Sequence, residues 1–146
     1  MRKIQVGDLG ISLDDVGTGE PVVLIHGLAC GKRMWFHQKR ALRQRFRVIA
    51  YDQRGHGLTD VPTDPKHYSP SHLVRDLSSL LDALGIARAS IVGFSLGGGP
   101  ALGLAVSAPH RGLPPRARRC RRRSGRYVEI AMAGAALEPV HRPRRH

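Results

Sequence analysis

Cysteine is nearly absent. Cys30 and Cys120 are the two in 146 residues, too few for a disulfide framework, so free thiols and a cytoplasmic setting are expected. Aromatic residues make up only 5% of the chain, and none but Tyr127 interleaves with the arginines of residues 111–146, so stacking on nucleic-acid bases is not suggested. No apolar run approaches the ~20 residues needed to span a bilayer; the longest late one, Ile130 to Leu137, has eight. Residues Met1 to Leu9 lack the apolar core of a secretory signal. No metal-ligand spacing and no cofactor motif is present, so neither a metal nor a cofactor is expected. Asp does not occur after Asp82, nor Lys after Lys66. Nothing in the sequence bears on oligomeric state.

What is abundant is positive charge, and it is unevenly placed. The formal net charge is +13. Residues 1–110 hold 13 basic and 9 acidic side chains, whereas residues 111–146 hold 11 Arg against 2 Glu. The composition breaks near residue 110, and the chain divides there into an ordinary globular segment, 1–110, and an Arg-rich tail, 111–146.

The first segment alternates strand-like and helix-like runs. Lys3 to Leu9 and Ile11 to Val16 read as a hairpin flanking Gly10. Val22-Val23-Leu24-Ile25 is uninterrupted and apolar, as a strand covered on both faces should be. Phe46 to Tyr51 and Ser90 to Phe94 are two further strands. Leu73, Val74, Leu77, Leu80, Leu81 and Leu84 form one helical stripe, with Ser69-Pro70 as its start and Gly85 as its stop. A weaker helix is expected over Met34 to Gln44, and another after Gly97 that ends near Pro109. The expected fold is α/β: a partial, mostly parallel sheet with an N-terminal β-hairpin, flanked by helices.

Three motifs fall at the carboxyl ends of these strands, where ligands collect in parallel sheets. Gly93-Phe94-Ser95-Leu96-Gly97 places a serine on a sharp strand-to-helix turn. Small flanking residues are needed there because the backbone closes tightly, and the turn exposes the hydroxyl. His26-Gly27-Leu28 follows the first buried strand, and Asp52-Gln53-Arg54-Gly55-His56-Gly57 follows the next.

Together these motifs resemble the α/β-hydrolase superfamily over roughly residues 10 to 110. The resemblance implies a serine hydrolase acting on ester, lactone or related acyl substrates, with a small-molecule partner. It implies Ser95 as nucleophile, the backbone amides of Leu28 and Leu96 as an oxyanion hole, and His26, Gly27, Gly93 and Gly97 as motif support. His26 and His56 would be structural members of their loops. A serine at the elbow argues against the dehalogenase and epoxide-hydrolase branches. Pro100 departs from the pattern, because it would remove an early hydrogen bond of the elbow helix.

The general base and acid are not evident. After Ser95 the acids are Glu129 and Glu138 and the histidines are His110, His141 and His146. Glu138 and His141 could touch each other, but they read as a solvated terminal pair with no strand to aim them. Nothing in 111–146 reads as the next apolar strand, so the strand ending at Ser95 is expected to be an exposed edge. The tail reads first as an off-frame or degenerate segment, then as a disordered one. The alternative class is a non-catalytic protein whose arginines bind nucleic acid or other polyanions. With no evident base or acid, the chain is expected to be poorly active or inactive.

Overall fold

The computed structural model describes residues 2–107 in full and residues 128–133 as backbone. β1 (Arg2–Val6) and β2 (Leu9–Val16) form the hairpin. β3 (Pro21–Ile25), a 3-10 turn over Lys32–Trp35, α1 (Phe36–Leu42) and β4 (Arg47–Tyr51) follow. Then come α2 (Pro70–Ala83), β5 (Ala89–Phe94), α3 (Gly98–Ser107) and β6 (Val128–Ala133). One six-stranded sheet has the order β1-β2-β4-β3-β5-β6. β3 to β6 pair in parallel, and β2 joins them antiparallel to β4. The expected partial α/β architecture is observed.

The pattern of apolar residues explains the layers. Val23 and Ile25 on β3 bury against Ile49, Tyr51, Ile91 and the α2 stripe of Leu77, Leu80 and Leu81. Val22 and Leu24, pointing the other way, bury against Trp35, Val48 and Ala50. A strand with both faces covered has no polar side to show, hence the unbroken Val-Val-Leu-Ile run. Among the described residues no helix is long and apolar enough to cross a membrane.

Four expectations are corrected. The hairpin turns at Gly7-Asp8, with Gly7 at φ +61°, and Gly10 lies inside β2 opposite Gln5. A Cβ on Gly10 would come within 2.6 Å of Lys3 Cε and 2.9 Å of Asp60 Oδ2, so this glycine serves close approach rather than turning. The weaker helix divides into a 3-10 turn and α1, and stops at Leu42. Pro100 sits in the first turn of α3, where amides have no intrahelical acceptor to lose, so the helix tolerates it. Finally, β5 is not an edge, because β6 pairs with it from Ala89↔Val128 to Phe94↔Ala133. Val128 and Ile130 favour a strand while Glu129, Ala131 and Ala133 do not, so the short segment is ambiguous by composition; the open ladder of β5 supplies the hydrogen-bonding template. His110, Cys120, Glu138, His141, His146 and the Arg118–Arg123 run lie outside the described residues.

Candidate active site

Three loops meet at the carboxyl ends of β4, β3 and β5. From β3 the chain passes to β4 on one side, then returns to β5 on the other. In sheets of this kind ligands bind where the winding reverses, and Ser95 stands at that point.

Steric constraints shape the elbow. Ser95 has φ +51°, a left-handed conformation that L residues other than glycine adopt at a cost. The turn closes so tightly that a Cβ on Gly93 would lie 2.4 Å from Gly97 O. A Cβ on Gly97 would lie 2.4 Å from Ile25 O and 2.8 Å from His26 O. The elbow therefore backs directly onto the end of β3. Ser95 itself is exposed. Leu96 is the second residue of a 3-10 turn over Ser95–Gly97 that leads into α3, and the first amides of a helical segment have no internal acceptor.

The loop after β3 touches the elbow from the other side. A Cβ on Gly27 would meet the Phe94 ring at 2.9 Å and Phe94 O at 3.4 Å, so Gly27 lies against the residue preceding the serine. Leu28 follows on the exposed crest of this loop, and Ala29 takes φ +58°. The loop that carries Leu28 thus packs, through Gly27, against the residue before Ser95, while Leu96 directly follows the serine. Leu28 and Phe94 leave apolar side chains exposed.

His26 is fully buried and fully occupied. Its Nε2 accepts from the Gln53 backbone N–H at 2.9 Å, which places the proton on Nδ1, and Nδ1 donates to Gly27 O at 2.7 Å. Burial pushes its pKa below the ordinary histidine value, against the opposing pull of the Gly27 carbonyl. Gln53 Nε2 returns a hydrogen bond to His26 O at 2.7 Å. His26 therefore acts as a strut between two loops and has no lone pair to spare for a serine. His56 packs beside it, rings 5.0 Å apart; its Nδ1 donates to Arg54 O and its Nε2 accepts from the Ala29 N–H.

Sequence reasoning missed the anchors beneath. Lys32 is a buried lysine whose ammonium donates to Asp52 Oδ2 and Ser12 Oγ, both at 2.7 Å, while its backbone N–H donates to Asp52 Oδ1 at 2.7 Å. Burial alone would raise the Asp52 pKa, but the Lys32 side-chain and backbone hydrogen bonds, the Leu58 amide and the Lys32 charge together hold it below the usual carboxylate value. Arg54, also buried, forks onto Asp76 of α2 at 2.6 and 2.7 Å and donates to His67 O at 2.5 Å. Gly57, at φ +53°, has no room for a side chain because a Cβ would fall 2.3 Å from Asp52 Cγ. The only sequence signals for these contacts are the isolated acids Asp52 and Asp76, whose partners lie 20 and 22 residues away.

No base reaches the serine among the described residues, and no group of His, Cys, Asp and Glu there could hold a metal. Glu129 pairs in register with Ser90, five residues before Ser95 and so about 16 Å back along the strand.

A family model described as alpha/beta hydrolase fold matches residues 20–111. A 2-hydroxy-6-oxo-2,4-heptadienoate hydrolase of Pseudomonas putida is 39% identical over 113 residues, 75% of this chain and 41% of that protein. An epoxide hydrolase from Vigna radiata superposes with a TM-score of 0.73 at 29% identity, over 76% of this chain and 36% of its own. Est816, described as an N-acyl homoserine lactone degrading enzyme, gives a TM-score of 0.69 at 33% identity, over 74% and 41%. The chain spans well under half the length of each of these three proteins.

Proposed function

The chain belongs to the alpha/beta hydrolase fold family, and on that premise we propose that it carries the nucleophile half of a serine hydrolase. Its substrates would be small esters, lactones or related acyl compounds. The observation that carries this reading is the elbow itself: an exposed serine held at φ +51° by glycines that admit no Cβ. A fold tolerates such a conformation where the side chain it aims has work to do.

In the proposed reaction Ser95 Oγ bonds to the acyl carbon, and the carbonyl electron pair moves onto oxygen. The amides of Leu28 and Leu96 then hold that oxyanion; such donors are worth about 2.7–4 kcal/mol each. Collapse expels the alkoxide and leaves an acyl-enzyme, which water cleaves. The Ser95 proton requires a base, and the described residues supply none: His26 is committed to Gln53 and Gly27. The two-part organisation belongs to the same proposal, with the hydrolase segment reaching to about residue 110. The named relatives favour small-molecule substrates. Est816's lactone is of the proposed class, whereas the epoxide hydrolase likeness concerns a chain region whose elbow here carries serine.

Turnover of p-nitrophenyl acetate tests the reading. Oxyanion donors and binding alone support about a 10³–10⁴-fold gain over water, so slow turnover that disappears in Ser95→Ala is expected. Turnover unchanged in Ser95→Ala would overturn the nucleophile assignment, and turnover at the rate of a complete triad would overturn the absence of a base among the described residues.

A further inference from the structure

The densest unneutralised charge among the described residues lies at the other end of the sheet from Ser95. From Pro21 to Tyr51 the chain has no Asp or Glu, yet it has seven cations: Lys32, Arg33, Lys39, Arg40, Arg43, Arg45 and Arg47. Three of them are answered from elsewhere: Lys32 by Asp52, Lys39 by Asp14 and Arg47 by Asp15. Arg40 and Arg43 are exposed and have no carboxylate partner among the described residues.

Those two arginines line a cleft of about 500 Å³ together with Val16, Phe36, Lys39 and Gln44. Val16 ends β2 and pairs with Val48 near the start of β4, so the cleft opens at the amino end of β4. The Ser95 loops leave from the carboxyl ends. The cleft has two chemically different walls. Phe36, 58% exposed, offers an apolar surface that folding leaves wet, and half-buried Val16 adds to it. Lys39, Arg40 and Arg43, from one side of α1 and its end, offer positive charge. The Lys39 ammonium is held by Asp14, which leaves the two arginine forks to meet a ligand. Its volume falls within the usual range for small-ligand sites, ~300–1,000 Å³.

We propose that this cleft binds an amphiphilic anion, an alkyl or aryl body ending in a phosphate or carboxylate, as a second site independent of Ser95. Arginine forks match such oxyanions in two-point geometry. The apolar body covers Phe36 and Val16, removing from water surface that would otherwise stay exposed. Placing both guanidiniums and an uncovered ring around one cleft serves no core interaction, since neither Arg40, Arg43 nor Phe36 is buried.

The test uses the full chain and its single tryptophan, Trp35, which immediately precedes Phe36 and reports on the cleft. Octyl phosphate below its aggregation threshold should give a saturable change in Trp35 fluorescence. Octanol and inorganic phosphate, each lacking one half of the ligand, should bind much more weakly. Arg40→Ala with Arg43→Ala should weaken octyl phosphate about tenfold, in line with the loss of two exposed charge contacts, although the Arg-rich 111–146 segment is intact in both proteins. Phe36→Ala should weaken it as well. Three outcomes would overturn the proposal: no saturable binding, equal binding by the double arginine variant, or inorganic phosphate binding as tightly as octyl phosphate. Binding to phosphatidylglycerol vesicles without binding of octyl phosphate would also overturn it, in favour of a lipid surface.

Discussion

Gly97 shows most plainly what one residue does here. Its missing Cβ makes room for Ile25 O and His26 O, two backbone groups that cannot swing aside. Gly97→Ala should cost about 1–3 kcal/mol in urea unfolding, as overpacking of a tight site does, and should suppress Ser95 reactivity. Gly99→Ala is the control: nothing lies within 4 Å of that position, so stability should hold or rise by up to ~1 kcal/mol. His26 yields a pH prediction. Its folded pKa is lowered by burial, so below the ordinary value of ~6.5 the unfolded chain takes up a proton that the folded chain resists. Stability should therefore fall as pH drops from 7.5 to 5.5 and level off above about 7. His26→Gln cannot titrate and should be less stable at pH 7.5 but lose part of that slope; an unchanged slope would contradict the assignment. Ser95, Gly93 and Gly97 were legible because a sharp strand-to-helix turn restricts residue type locally. Lys32 was not legible, because its reason for being buried is Asp52, 20 residues on.

At the scale of elements, the strands and α2 were readable from periodicity, and their connections were less so. The apolar run of β3 and the Leu stripe of α2 report burial directly. α1 has no buried residue of its own, so no stripe marks where it ends, and its limits came out shorter than its pattern. β6 illustrates the converse. Its composition is mixed, with Val128 and Ile130 beside Glu and Ala, and its place is set by what β5 offers along its edge. The loop after β4 is held to α2 by Arg54 and Asp76, both buried, with two hydrogen bonds between them. Arg54→Ala strands the Asp76 carboxylate and should cost about 3–5 kcal/mol in chemical denaturation. Arg54→Met with Asp76→Leu should cost less than the single change, because it removes both charges together. If the double variant is the worse, the pair is not acting as a buried ion pair.

Over the whole molecule, the charge of +13 first suggests a polyanion binder, yet the sheet, its switch point and the elbow belong to the alpha/beta hydrolase fold. What length and net charge obscure, the position of the charge makes plain. Most of it lies beyond residue 110, and within the described fold it gathers on α1, away from Ser95. The family match covers 20–111, the stretch in which all three strand-end motifs occur. Within residues 2–107 no acid or histidine follows the elbow; His110, Glu138, His141 and His146 lie outside the described residues. Covalent capture of the serine tests the central claim without needing a full turnover cycle. The folded chain, the urea-unfolded chain and Ser95→Ala would each be treated with a fluorophosphonate and the adduct mapped by mass spectrometry. The expected result is a slow adduct on Ser95 of the folded chain and none on Ser95 once the elbow is unfolded. Ser95 left unmodified in the folded chain, or modified no faster than the other serines, would contradict the account.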